Sequence, residues 1–128
     1  MTNKYCLSII IPAYNSEKII NDCLNKILEE SKKIKSEIIV VDDKSTDKTT
    51  KIVKKIKKIK LIKLKKNRGV GNARNIGADN AKYKNLCFID SDIIISKNSI
   101  YNLLKRFHKN KNTGSVSGTQ NTYNLNKD

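Results

Sequence analysis

Two rhythms of apolar residues alternate along this chain. Leu7–Ile11, Glu37–Val41, Leu61–Leu64 and Leu86–Ile89 are short apolar runs, too brief for helices, and read as strands. Between them, Ile19, Ile20, Cys23, Leu24, Ile27 and Leu28 recur at helical spacing, with Asn15 or Ser16 placed to cap the helix. Ser45-Thr46-Asp47 opens a second helix that carries Ile52, Val53, Ile56 and, at its end, Ile59. A short third helix covers Ala73–Ala81, and Ile100, Leu103, Leu104 and Phe107 make one face of a fourth. Ser115–Thr119 reads as a fifth strand. Brief buried strands separated by amphipathic helices predict an α/β fold: a Rossmann-like, mostly parallel sheet with helices on both faces.

Length and composition fit that picture. The 128 residues make one domain, 1–128, and 38% hydrophobic residues suffice for a single core. A polar tail from about 119 to 128 is expected to fray. No apolar run approaches the roughly 20 residues of a membrane span, and the N-terminal apolar stretch is too short for a signal peptide. The chain is therefore expected in the cytoplasm, with the inner face of a membrane as a surface it could touch.

Charge adds a question. Lys and Arg number 27 against 12 Asp and Glu, a net +15, which points to a polyanionic partner such as nucleic acid or an anionic surface. Arginine, the better reader of bases and phosphates, occurs only at Arg68, Arg74 and Arg106, and aromatics are 5%, too few for a stacking platform. Both facts argue against nucleic acid. The lysines of 51–66 fall between apolar positions, as solvated faces of a helix and strand do. Cys6, Cys23 and Cys87 are odd in number, far apart and without a C-x-x-C pair, so they read as buried reduced thiols. With a single His108 they provide no zinc set.

The chemistry gathers where strands end. In open parallel sheets, ligands bind outside the carboxyl ends of the strands. There the first strand gives Pro12-Ala13-Tyr14-Asn15, the second Asp42-Asp43, the third Asn67-Arg68-Gly69 and then Arg74-Asn75, and the fourth Asp90-Ser91-Asp92. Five of the twelve acids (Asp42, Asp43, Asp47, Asp90 and Asp92) collect at these ends in an otherwise basic chain. A D-x-D at a strand end can present oxygens to Mg²⁺ or Mn²⁺, cations that also grip phosphate. Tyr14 offers a flat face for a base, Asp43 an acceptor for a base N–H or ribose hydroxyl, and Arg74 a partner for phosphate or for the acids.

The segments SIIIPAYN, VVDDKSTD, NRGVGNARNIG and FIDSD, in this order and rough spacing, resemble the family 2 glycosyltransferases over about residues 5–118. The resemblance implies a GT-A fold, truncated, and an inverting transfer of a sugar from a nucleotide-diphosphate donor, a UDP-sugar first, to a saccharide, lipid or protein acceptor. It places Pro12, Ala13, Tyr14 and Asp43 at the base, Arg74 beside the diphosphate, Asp90 near the ribose and Asp92 on the Mg²⁺ or Mn²⁺ ion with Asp90 as its second carboxylate; Asn15 and Ser91 are expected to bind the nucleotide sugar as well. The small glycine usual after the paired acids is Lys44 here. Inverting transfer needs a carboxylate base for the acceptor hydroxyl. In the family it follows the D-x-D, yet between Ile93 and Lys127 there is no Asp or Glu. Asp128, the terminal residue, is not expected to be held rigidly, so a general base is expected to be absent from the chain, and the acceptor half is expected in a missing C-terminal segment or partner chain.

Plainer roles are expected for several neighbours. Pro12 ends a strand, Asp47 is an acid of a helix first turn, and Gly69, Gly71 and Gly77 serve turns and packing. G-V-G-N-A-R lacks the third glycine of a dinucleotide fingerprint and follows the third strand. Two other α/β readings, and a non-catalytic basic binding module, stand as alternatives. IIVVDDKS resembles the acidic pair of a response-regulator receiver, and FIDSD the opening motif of haloacid-dehalogenase-type phosphatases, but both belong on a first strand.

Overall fold

A computed structural model describes residues 5–119. Its sheet has four strands, β1 (Leu7–Ala13), β2 (Ser36–Asp42), β3 (Ile59–Lys63) and β4 (Leu86–Phe88), all parallel and ordered β3-β2-β1-β4. Four helices alternate with them: α1 (Ile20–Ser31), α2 (Thr49–Lys54), α3 (Val70–Asp79) and α4 (Ser99–Lys109). The chain steps outward from β1 to β2 to β3, then crosses back over the sheet to lay β4 on the far side of β1. Right-handed crossovers put helices of opposite stepping direction on opposite faces. Accordingly Leu7, Ile9, Ile11, Ile38 and Val40 pack against α1, α2 and α4, while Ile39 and Val41 on the other face pack against Ala73 of α3. All seven residues of β1 are buried.

The α3 face is unusually close. A Cβ added at Gly77 would lie 2.4 Å from Ile10 Cγ2, so only glycine lets α3 approach the sheet this far. A polar knot secures the same side. The Ser8 hydroxyl donates to Glu37 Oε1 at 2.6 Å, the Tyr83 N–H donates to Ser8 Oγ, and the Lys82 N–H also reaches Glu37.

Several expectations are corrected. Pro12 does not end β1; it pairs in register with Val41. Even-numbered residues of β1 turn their N–H toward β4, as Ser8 does to the Asn85 carbonyl, and β4 stops at Phe88. The last bond on that side runs from the Ile89 N–H to the Ile10 carbonyl; the next would need the N–H that proline lacks, so Pro12 ends the pairing with β4 while its pairing with β2 goes on. Ile59 opens β3 instead of closing a helix, because α2 is only six residues long and a turn precedes the strand. Neither Asn15 nor Ser16 caps α1 through its side chain; the Ser16 carbonyl accepts the Ile19 and Ile20 N–H groups instead. Leu86 and Phe88 are 39% and 46% exposed, so β4 is an edge strand buried on one face, not a buried strand. Residues 115–119 form no strand; with Val116 as the one apolar side chain they have little to bury against a neighbour. Most of the polar tail, 120–128, lies outside the described residues. No helix among the described residues is long and apolar enough to cross a membrane.

Candidate functional site

Where strand order reverses, between the carboxyl ends of β1 and β4, a crevice must open, and this is where ligands bind in such sheets. A cleft of about 550 Å³ lies there, lined by Pro12, Ala13, Tyr14, Asn15, Ser16, Ile19, Asp43, Asn67, Gly69, Val70, Ala73, Asp90, Ser91 and Asp92. Every sequence-derived candidate except Arg74 is in that lining, and Arg74 reaches it through Asp90. A second depression, of about 590 Å³ beside the end of α4, holds no carboxylate or imidazole and offers no comparable chemistry.

Three carboxylates face different surroundings. Asp43 is buried, and its two oxygens accept the Arg68 and Gly69 N–H groups at 2.9 and 2.8 Å. That clamp fixes the β3–α3 loop, where Gly69 sits at φ 93, a conformation glycine adopts without strain. Each Asp43 oxygen keeps a second acceptor site. Asp90 accepts Arg74 Nη2 at 2.7 Å, with both side chains over a third exposed. Asp92 is exposed and makes no hydrogen bond or ion pair among the described residues. The Arg74 Nε is buried without a partner among them, as is Asp42 Oδ1, whose other oxygen takes the Ser45 N–H.

The loop carrying Tyr14 is held by polar side chains from the β2–α2 loop. Asn15, in the left-handed region at φ 48, accepts Thr46 N–H at 2.8 Å and Asp47 N–H at 3.3 Å through Oδ1, and its own N–H donates to Ser45 Oγ. The Ser16 N–H donates to Thr49 Oγ1, the Glu17 carboxylate accepts the Lys48 N–H, and the Asp47 carboxylate accepts the Glu17 N–H. Burial alone would raise the Asp47 carboxyl, but donors from the Thr49 hydroxyl and N–H and the Glu17 N–H outweigh it and hold it below its usual range. Asp47 thus precedes α2 as a loop anchor and is no first-turn acid. The Asn15 carboxamide oxygen serves the same fastening. Ser16 Oγ lies 2.7 Å from Ser91 Oγ and 3.3 Å from the Tyr14 carbonyl, linking the two sides of the cleft. Tyr14 itself is half exposed at the rim.

Cys23 lies beneath the acids, its thiol donating weakly to the Asp90 carbonyl. Burial, with added repulsion from Asp92 and Asp90, pushes this thiol up to about 12 against a lowering bond from Ile93. Cys87 is pushed to about 11 by burial, and all three cysteines are free. His108 stands on α4 with its ring edge-on to Tyr5 and Phe107, outside the cleft lining. Sequence reasoning missed Ser16, Ile19, Val70 and Ala73. Ser16 was legible only as a cap; the others owe their place to the close packing of α1 and α3.

A parallel sheet with a nucleotide-type crevice at its switch point and acids just after the fourth strand is the GT-A arrangement. The sequence matches the model of the family "Glycosyl transferase family 2" over residues 8–127, and the chain belongs to that family. It is 39% identical over 98 residues to the poly(ribitol-phosphate) β-N-acetylglucosaminyltransferase TarS of Staphylococcus aureus, a match covering 73% of this chain but 17% of that protein. The crystal structure of S. aureus TarS 1–349 in complex with UDP superposes with a TM-score of 0.67 at 33% identity, covering 80% of this chain and 32% of that one. A mannosyltransferase from Pyrobaculum calidifontis, in complex with GDP-Man and Mn²⁺, gives 0.72 at 26% identity, covering 77% and 31%. The chain therefore spans a third or less of these relatives.

Proposed function

We propose that the cleft holds a nucleoside-diphosphate sugar, a UDP-sugar first, together with Mg²⁺ or Mn²⁺, as the donor half of an inverting glycosyltransferase. The observation that carries this reading is the gathering, in one cleft, of a free carboxylate (Asp92), a carboxylate held by arginine (Asp90) and a carboxylate held by backbone (Asp43). Support comes from the UDP in TarS and the GDP-Man and Mn²⁺ in the mannosyltransferase. The name of TarS gives poly(ribitol-phosphate) as the acceptor in that relative, and a saccharide, lipid or phosphodiester polymer is the acceptor class here.

Tyr14 presents its ring to the base between Pro12, Ala13 and Asp43. Asp43 uses its second acceptor sites on a base N–H or ribose hydroxyl. Asn15 shapes the loop, and Ser91 fixes the turn of the acids. Asp92 and Asp90 are hard oxygen donors, and no group of three or more His, Cys, Asp or Glu placed to hold a metal ion by themselves occurs among the described residues. The set fits an ion that takes its remaining ligands from diphosphate and water. Such an ion supplies positive charge that stabilises the diphosphate as it leaves. Arg74 orients Asp90 through its 2.7 Å ion pair.

Calorimetry of UDP with and without Mn²⁺, on the native protein and on Asp92→Ala, tests this. Mn²⁺ should tighten UDP binding at least about tenfold in the native protein and have no effect in the variant. Equal affinity with and without Mn²⁺ in both proteins removes the metal, and no UDP binding at all removes the donor reading.

A further inference from the structure

The positive charge of this chain is not spread along it. Residues 44–68, about a fifth of the chain, hold twelve of the 27 Lys and Arg and one of the twelve acids, so eleven of the fifteen net charges lie there. A lysine-rich composition alone would scatter them evenly. In the structure they form one flank: Lys51 and Lys54 on α2, Lys57 and Lys58 in the turn after it, and Lys60 and Lys63 on β3 are all exposed. None of the twelve is in an ion pair among the described residues. Lysines on an edge strand do block unwanted pairing, but only Lys60 and Lys63 are on β3. The flank also runs into the cleft, since the Arg68 N–H holds Asp43 and Lys44 follows Asp43.

We propose that this flank docks a linear phosphodiester polymer and leads it to the cleft as acceptor; the polymer's role as acceptor rests on the glycosyltransferase reading above. Lysine ammonium groups grip phosphates as point charges without fixed geometry, which suits a repeating flexible polyanion. Nucleic acid is less well served. The segment has one arginine and no aromatic residue, so it can neither read base edges nor stack bases. A membrane is less well served too, because none of the large exposed hydrophobic side chains lies within 44–68 to insert among lipids.

The test measures binding of a short labelled ribitol-phosphate oligomer by the full chain at about 50 and 200 mM salt. Two variants lose the same charge: Lys54, Lys57, Lys58 and Lys60→Gln on the flank, and Lys18, Lys32, Lys84 and Lys97→Gln elsewhere. The flank variant should bind at least about tenfold more weakly with a shallower salt dependence, and the other should change by no more than about threefold. UDP affinity, equal in both variants and the native protein, reports the cleft separately. Oligomer binding without UDP binding would keep the docking flank while removing the donor reading. Equal losses in the two variants would overturn the proposal. So would a thymidine oligonucleotide of equal charge binding as tightly, or phosphatidylglycerol vesicles being held where the oligomer is not.

Discussion

Ser91, Ser16 and Tyr14 form a relay whose direction follows from proton counting. A hydroxyl has one proton to give. Ser16 lies within reach of both the Tyr14 carbonyl, which can only accept, and Ser91 Oγ. Ser16 therefore donates to Tyr14 and accepts from Ser91, so the turn of the acids is fastened to the loop that carries the aromatic ring. Ser16→Ala and Ser91→Ala should each weaken UDP binding about three- to tenfold, and the double variant should be no worse than the worse single one, as members of one network behave. Strictly additive losses in calorimetry would show that the hydroxyls act separately. Asp90 and Asp92 were legible in the sequence because carboxylates closing an apolar run need a reason to be there. The relay was not, because it joins residues 75 positions apart, and serine after a strand is equally at home in a cap. Asn15 was legible as a cleft residue, but its side chain fastens the loop, a duty set by a left-handed backbone that no sequence pattern announces.

At the scale of elements, two packing devices decide how firmly the cleft is framed. Gly77 lets α3 lie against Ile10, so Gly77→Ala should destabilise the fold by about 1–3 kcal/mol, measurable by urea unfolding. A smaller loss would mean that Ile10 can turn aside. On the other face, Glu30 at the end of α1 is buried and accepts Lys33 Nζ and the Asn98 N–H, both at 2.8 Å, tying α1 to the start of α4. The Lys33 bond first, and the Asn98 N–H second, hold the Glu30 carboxyl below its ordinary 4.5. The unfolded chain then binds the proton more tightly than the folded one. This contribution is thus full above the ordinary carboxylate range and lost as pH falls through the lowered value. Glu30→Gln should be less stable than the native protein at neutral pH, and the gap should narrow on acidification; a constant gap would show that the Glu30 charge is irrelevant. The alternation of strands and helices was readable because each strand is a short apolar run. Boundaries were not: Pro12 stays in β1 because its other side pairs with β2, and Ile59 joins β3 because α2 is short, facts about neighbours and not about local residues.

For the whole molecule, five of the twelve acids lie at the strand ends and twelve of the 27 Lys and Arg on one flank, while the described residues after Asp92 contain no carboxylate. A positioned base contributes about 10²–10⁴-fold to a transfer of this kind, and His108, packed against Tyr5 and Phe107, stands outside the cleft. The 128-residue chain should therefore turn over UDP- or GDP-sugars with added acceptors well below about 1 s⁻¹. A rate at or above that in a product assay would place the base within this chain. The strand order also dictates a timetable. β1 is synthesised first yet lies in the middle of the sheet, and its outer side is closed only when Leu86 arrives opposite Ser8. A nascent chain on the ribosome must therefore hold its most apolar segment with one flank open until β4 has emerged. During that interval chaperones have access to β1, and stalling before residue 86 should leave a product that proteases clear.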